Sequence, residues 1–532
     1  MNNKQASSIL MALCVAVVLA LSGCNTNDFY VPGKDDETRH ASVSSVSAAD
    51  LPTALAELEG VTSVEPIDAS GSKLFSEKYL ITFEQPLDHA DPSLGTFPQR
   101  VVLGIAKDAE ANVLETCGYG MPDEAISGDS YPEICAAGKR NLIRVEHRFF
   151  GQSVPKGLTH ESVDEWKYLM SQNAADDYHH IYTELSKVLA GKWAATGASR
   201  GGEVCASYTY YYPDDMAISV PIVAPFSSGA EDPRFYTFVY THIGDERYGE
   251  AKAKEYRELV TKFQVELMKN KDSLAPRLWQ YCMDKGYSYR PSVTSKTLFD
   301  VCVLELAAQE WQWGELGAQR YGVDLSFAEL SRVLALPAGT EVEKQAKRDA
   351  EFQVLSYLGV PEEYALNNPN WPYWVNAIKE YGQYQYDFSY LRDACKAAGI
   401  PDAISIKAEE EKGLAARMVL SDKQQEKFTY DGAFYQGLGR WVSDTPSNLV
   451  FIYGSSDPWY SLRIPNSDNE NIKRYACKEQ SHNVMIADFD KSTAEEIHGL
   501  VNKALDPNPE QTVDVAPVRS GAATSGKSGA AS

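Results

Sequence analysis

A chain of 532 residues is two to three times what one ordinary domain needs, which points to a large catalytic-type domain with a sizeable insertion, or to two domains. Its 44% hydrophobic and 23% charged residues exclude disorder as the main state. Fifty Lys and Arg against 74 Asp and Glu leave a net charge of −24 and a pI near 4.9, a balance that repels phosphate backbones and excludes nucleic acid as a partner.

The chain opens with Lys4, an apolar run from Ile9 to Leu21, and Leu21-Ser22-Gly23-Cys24. A run of about 13 apolar residues is short for a spanning helix and reads as a secretory signal. Small residues directly before a cysteine resemble the bacterial lipobox, so residues 1–23 are expected to be removed and Cys24 to carry lipid. The expected location is the bacterial cell envelope, with contact to the membrane through that lipid alone. Residues 24–55 are rich in Ser, Ala, Asp and Thr and read as a tether.

From about residue 76, short β-branched or aromatic runs alternate with helical ones. Tyr79–Phe83, Arg100–Ile105, Asn141–Val145, Trp193–Thr196 and Ala217–Val223 read as strands, with a helix over Ala174–Leu189. Strands alternating with helices predict an α/β fold with a mostly parallel sheet. From 245 to 440 the period turns helical nearly throughout. Asn448–Tyr453 and Arg474–Cys477 then resume the sheet, and a closing helix runs over about Ser492–Leu505. The body is therefore expected to comprise 56–244 and 441–506, the helical block 245–440 to be an inserted cap, and the Pro/Ser/Gly/Ala-rich tail 507–532 to be disordered.

Seven cysteines follow Cys24. An oxidising compartment permits disulfides among them, and an odd number leaves at least one thiol free; Cys117 with Cys135 and Cys282 with Cys302 are the nearest pairs in sequence. Neither C-x-x-C nor H-E-x-x-H occurs, so no metal site or cofactor is expected.

The chemistry begins at Gly197-Ala-Ser199-Arg-Gly201, between a predicted strand and a predicted helix ending near Tyr211. Glycines two before and two after the serine allow the tight turn that lifts a nucleophile above a sheet end. A serine hydroxyl requires a general base, itself oriented by a carboxylate. Asp457 lies on the loop just past the strand Asn448–Tyr453, and His482 lies just before the closing helix, whereas His498 falls inside that helix. An oxyanion hole needs two backbone donors: the N–H of Arg200 is one, and the loop Cys117-Gly-Tyr119-Gly120 offers the other, Tyr119 first and Gly120 next.

Several further segments occur in order: Phe83-Glu-Gln-Pro-Leu-Asp-His89, Gly95–Arg100, Glu146-His-Arg-Phe-Phe-Gly-Gln-Ser-Val-Pro155, Asp177-Tyr-His179, Thr196–Gly202, Tyr212-Pro-Asp-Asp215, Ala224-Pro225, Asp457-Pro-Trp459 and Ser481-His482. Together they resemble the prolyl tri/tetrapeptidyl aminopeptidase family of serine peptidases and, more distantly, lysosomal prolyl carboxypeptidase, over roughly 75–240 and 440–500. The resemblance implies an α/β-hydrolase with a helical cap inserted before the last strands, a Ser199–Asp457–His482 triad, and release of short peptides from N-termini, typically after proline. Arg200 departs from the lysine common in that family.

An aminopeptidase must meet a substrate ammonium with carboxylates. The cap segment Gln309–Gly317 carries Glu310, Trp313 and Glu315, which with Trp459 are the expected substrate-binding residues; Trp371, Trp374 and the tyrosines from Tyr381 read more as packing core than as a proline pocket, and Glu310 and Glu315, five apart on neighbouring helical faces, fit a solvated surface equally well. Glu203 reads as a support residue, and His147 with Arg148 as braces of their loop. A lipase or carboxylesterase on the same fold and a non-catalytic binding lipoprotein are the alternatives, the first disfavoured by the Glu- and Trp-rich cap.

Overall fold

The computed structural model describes residues 50–313, 326–357 and 360–505. Among them, one sheet of nine strands runs in the order β1-β2-β3-β5-β4-β6-β7-β10-β11. The strands are β1 (Val61–Ile67), β2 (Phe75–Pro86), β3 (Thr96–Ala106), β4 (Ala111–Thr116), β5 (Asn141–Val145), β6 (Lys192–Ala198), β7 (Ile218–Ile222), β10 (Leu449–Gly454) and β11 (Ile472–Cys477). β1, β2 and β3 pair antiparallel, β3 pairs antiparallel with β5, and from β5 to β11 every neighbour is parallel. Two-residue strands β8 (Glu231–Asp232) and β9 (Gln383–Tyr384) form a separate parallel pair.

Parallel strands covered on both faces are buried along their whole length, which is why Leu449–Gly454 reads as a continuous apolar run; Asn141–Val145 is equally buried but carries Asn141 and Arg144, both hydrogen-bonded. Helices α1 (Ser171–Leu185) and α2 (Arg200–Tyr211) cover one face, packing Tyr178, Ile181, Val204 and Tyr208 on Leu114, Ile143 and Ala195. Ile134 and the closing helix Lys491–Leu505, through Ile497, Val501 and Leu505, cover the other, against Val113, Leu142, Val220 and Ile452. This is the α/β-hydrolase architecture expected from the sequence. Strand β1 was not among the expected strands, because its half-exposed edge residues lack a run of apolar side chains. The helix expected from Ala174 starts at Ser171 and ends at Leu185, since Ser171–Gln172–Asn173 are polar and carry no apolar period.

Between β7 and β10 lies the inserted helical layer. Its long members are α3 (Glu250–Lys269), α4 (Lys271–Asp284) and α5 (Ser295–Trp313). From Val360 onward the helical expectation gives way to short pieces, Val360–Glu363 and Pro372–Asn376, then a π-helical turn over Ala377–Tyr381. The run Asn367-Asn-Pro-Asn-Trp-Pro372 explains the break, because its prolines lack an amide donor and its asparagines favour turns. Among the described residues no helix is long and apolar enough to cross a membrane. The seven cysteines after Cys24 are all unpaired thiols, six of them buried, so the disulfides permitted by the sequence reading are not formed.

Candidate active site

Strand β6 runs into Ser199, which stands at φ 57°, ψ −126° before α2 begins at Arg200. A positive φ is costly for a non-glycine residue and is the strained turn of a nucleophile elbow. The surrounding glycines are required by space. A Cβ on Gly197 would meet the Gly201 carbonyl oxygen at 2.3 Å, and one on Gly201 would meet the Thr116 carbonyl oxygen at 2.5 Å. The Ser199 amide donates to the Ile222 carbonyl at 2.8 Å, pinning the turn to the end of β7.

Asp457 leaves the end of β10, and His482 follows β11, so both reach the same end of the sheet as Ser199. His482 Nε2 lies 2.9 Å from Ser199 Oγ, and His482 Nδ1 lies 2.7 Å from Asp457 Oδ2. The second Asp457 oxygen accepts the Trp459 amide at 3.2 Å, so the carboxylate is held on both sides. Asp457 is 1% and His482 9% exposed, which keeps this relay out of bulk water while Ser199 stays half-buried. An imidazole so placed takes the serine proton as the hydroxyl attacks a carbonyl, and returns it to the leaving group.

The loop Cys117–Gly120 lies directly on the elbow: a Cβ on Gly118 would meet the Gly201 amide nitrogen at 2.7 Å and Arg200 Cβ at 2.9 Å. Tyr119 is thereby placed beside the start of α2, with the Arg200 guanidinium 5.5 Å from its ring centre, while Gly120 packs on Gly151. Glu146 anchors this loop and was not singled out by sequence. Fully buried, it accepts the Met121 amide at 2.7 Å, Ser153 Oγ at 2.6 Å and Arg100 Nη2 at 2.6 Å. Its only prior signal was its place in the Glu146–Pro155 segment.

Arg148 ties its own loop to the elements around it. Buried itself, it bonds buried Asp177 through Nε at 2.7 Å and Nη2 at 2.8 Å, and reaches the carbonyls of Pro86, Leu87 and Tyr168. Such a pair contributes little net stability but is costly to leave half-broken. His147 donates through Nδ1 to the Arg148 carbonyl at 2.9 Å, and burial, reinforced by the Arg200 charge, holds it well below the usual imidazole range. Glu203 is buried against Tyr435 OH at 2.7 Å, and desolvation pushes its carboxyl up to about 8, which fits the supporting role expected of it. Arg200 reaches across to the inserted layer, donating through Nη2 to Asn376 Oδ1 at 2.6 Å.

The end of α5 seats on the relay. Ser481 Oγ donates to the Trp311 carbonyl at 2.7 Å, and the Trp313 ring stands edge-on to His482 with ring centres 5.1 Å apart. Glu310 is buried within this last turn. Trp459 packs against Phe235 and Tyr384, with ring centres 4.9 Å and 5.6 Å away. Trp371 and Trp374 pack within the inserted layer's core. Glu315, Cys24, the signal, most of the tether and the tail 507–532 lie outside the described residues. Among the described residues, no cluster of His, Cys, Asp and Glu is arranged to hold a metal.

The family model for PS-10 peptidase S37 matches residues 45–322, slightly more than half the chain. The chain belongs to the S37 peptidase family. It is therefore a serine peptidase, and the esterase and non-catalytic readings fall away. The S37 chain is also 24% identical over 436 residues to the prolyl tri/tetrapeptidyl aminopeptidase of Streptomyces mobaraensis, covering 80% of this chain and 78% of that one. Similar solved structures include a proline iminopeptidase from Mycobacterium smegmatis, with TM-score 0.33, 11% identity, and coverage of 80% of this chain and 98% of that chain. Another is an α/β fold hydrolase from Bacillus anthracis str. Sterne, with TM-score 0.28, 12% identity, and coverage of 80% and 99%.

Proposed function

We propose that this S37 peptidase releases short peptides from the N-termini of its substrates, after proline, through an acyl-enzyme. Ser199 is the nucleophile, His482 the general acid–base and Asp457 its orienting carboxylate. The amides of Arg200 and Tyr119 hold the oxyanion. The observation that carries this reading is the relay at hydrogen-bond distance throughout, closed over by the acidic, aromatic end of α5. The rigid rings of Trp313, against His482, and Trp459, next to Asp457, offer a proline side chain flat apolar walls, and the similarity to the Streptomyces prolyl tri/tetrapeptidyl aminopeptidase supports the same specificity.

The polarity follows from charge. A peptide ammonium entering a dry interior needs a carboxylate, and α5, the helix that seats against His482, carries buried carboxylates. Acylating the substrate N-terminus removes the ammonium and leaves a carboxylate unpaired. Free-amine proline peptides should therefore be cleaved at least about tenfold faster in kcat/KM than their acyl-blocked counterparts, about 1.4 kcal/mol of transition-state binding. Chromogenic peptide pairs differing only at the N-terminus measure this. Equal cleavage, with a demand for a free C-terminal carboxylate, would move the enzyme to carboxypeptidase polarity.

We further propose that the enzyme is held at the bacterial cell envelope by lipid on Cys24, facing peptide substrates outside the cytoplasm. Cys24→Ser should shift it from the membrane to the soluble fraction, because acyl chains then no longer contribute. Fatty-acid label still incorporated into that variant would refute the anchor.

A further inference from the structure

Glu305 lies two helical turns before Trp313 on α5 and is 2% exposed. Its Oε1 accepts from the phenol of Tyr384 at 2.9 Å and from that of Tyr364, which in turn bonds Tyr386. Its Oε2 is buried with no hydrogen-bond partner among the described residues. Two more buried polar atoms share that condition close by: Oε1 of Gln309, one turn along the same face of α5, and the hydroxyl of Tyr236, whose ring centre is 5.7 Å from that of Tyr384. Buried polar atoms are nearly always paired, and an unpaired carboxylate oxygen is among the most costly to leave so.

All three atoms accept hydrogen bonds, and an α-ammonium presents three N–H donors. The position agrees as well. Glu305, Gln309 and Trp313 follow at intervals of four, a stripe that starts at the Glu305 carboxylate and ends on His482. At about 1.5 Å per residue, Glu305 lies about 12 Å along the helix from Trp313. An independent route, from Trp459 beside Asp457 through the Tyr384 ring to its hydroxyl and so to Glu305, leads to the same place. An extended peptide advances about 3.3 Å per residue, so three to four residues span this depth and two fall well short.

Resting on the aminopeptidase reading above, we infer that Glu305, with Gln309 and Tyr236, is the receptor for the substrate ammonium, and that its depth along α5 behind Trp313 and His482 sets the length of the peptide released, three to four residues. The Tyr364, Tyr384 and Tyr386 hydroxyls act as positioning groups that hold Oε1 and leave Oε2 for the ammonium. Burial pushes the carboxyl up to about 7 against the opposing phenol hydrogen bonds, so an arriving ammonium favours its ionised form. Glu310, the residue singled out by sequence, stands on a different face of α5, five residues along from Glu305.

The test is a set of proline anilides carrying two, three or four residues before the scissile bond, each with a free or acetylated N-terminus, assayed on wild type, Glu305→Gln, Glu310→Gln and Gln309→Leu. Wild type should favour free tri- and tetrapeptides over the dipeptide and over every blocked form. In Glu305→Gln the free-to-blocked ratio of kcat/KM should fall at least tenfold, chiefly through KM, and the preference for three or four residues over two should collapse. Glutamine keeps the acceptor for the tyrosines, and circular dichroism checks the fold. Should that variant not fold, Gln309→Leu, which spares the carboxylate, must still lower the ratio several-fold. A wild type indifferent to acetylation refutes the aminopeptidase reading itself. Retention of both preferences in a folded Glu305→Gln, or their loss in Glu310→Gln alone, overturns the Glu305 assignment while leaving that reading standing.

Discussion

Ser199→Ala should lower peptide turnover by at least about 10⁴-fold while the protein folds and melts as before. The hydroxyl supplies the electron pair that forms the acyl bond, and neither water nor a neighbouring side chain takes its position at the elbow. Its structural contribution is small. Although Ser199 stands at the start of α2, its side chain makes no capping bond to the helix, and its hydrogen bond runs to His482. The change in stability should therefore stay within about 1 kcal/mol, the ordinary worth of a helix-start serine. Anilide hydrolysis beside a thermal melt reads both quantities. Turnover close to wild type in a folded variant would remove Ser199 as nucleophile.

Asp457→Asn should cost about 10⁴-fold in kcat with the backbone unchanged. The carboxylate accepts from His482 Nδ1 at 2.7 Å, which places the imidazole proton on Nδ1 and leaves Nε2 free to take the serine proton. An asparagine can turn its amide NH₂ toward Nδ1 while its oxygen still accepts the Trp459 amide. The proton then sits on Nε2, and the base is in the wrong tautomer. Because that capping contact survives, the loop from Asp457 to Leu462 should keep its shape, and KM should change far less than kcat. A variant within tenfold of wild type in kcat would show that the imidazole is oriented by something other than Asp457.

The parts of this molecule that were legible in its sequence are those whose signal is local. The elbow announces itself because two glycines flank a serine where a strand turns into a helix, and β7 and β10 do so because burial on both faces leaves mostly apolar, β-branched side chains, whereas β4, with its Asn112, Glu115 and Thr116, did not stand out. Asp457 and His482 were reachable through chain order, each following one of the last strands. The resemblance extended this reading, but only to segments in which family residues cluster. Glu305 carried no such mark: α5 is buried nearly all round, so it has no polar face against which a functional carboxylate would stand out. The partners that give Glu305 meaning, Tyr364, Tyr384 and Tyr386, lie 59 or more positions away and converge only in space. Glu146 was hidden for the opposite reason. It sits in a conspicuous segment, yet its bonds to Arg100, Met121 and Ser153 are a property of strand β3 and two loops folded together. Chain texture likewise missed the broken helices after Val360, because the apolar period persists through Pro369 and Pro372, which with the neighbouring asparagines break the helix.

The 283 positions that separate His482 from Ser199 have a consequence for when this peptidase becomes dangerous. The elbow can form once β7 is in place, since the glycines and the Ile222 carbonyl that shape it are then all present. Its base is still unmade. At synthesis rates of about 5–20 residues per second, roughly a quarter of a minute to a minute passes before the histidine exists, and the whole inserted layer is produced in the interval. Any product truncated before β10 carries an intact nucleophile with neither base nor orienting acid. A hydrolase arranged in this order has no complete relay until the chain has been made through His482.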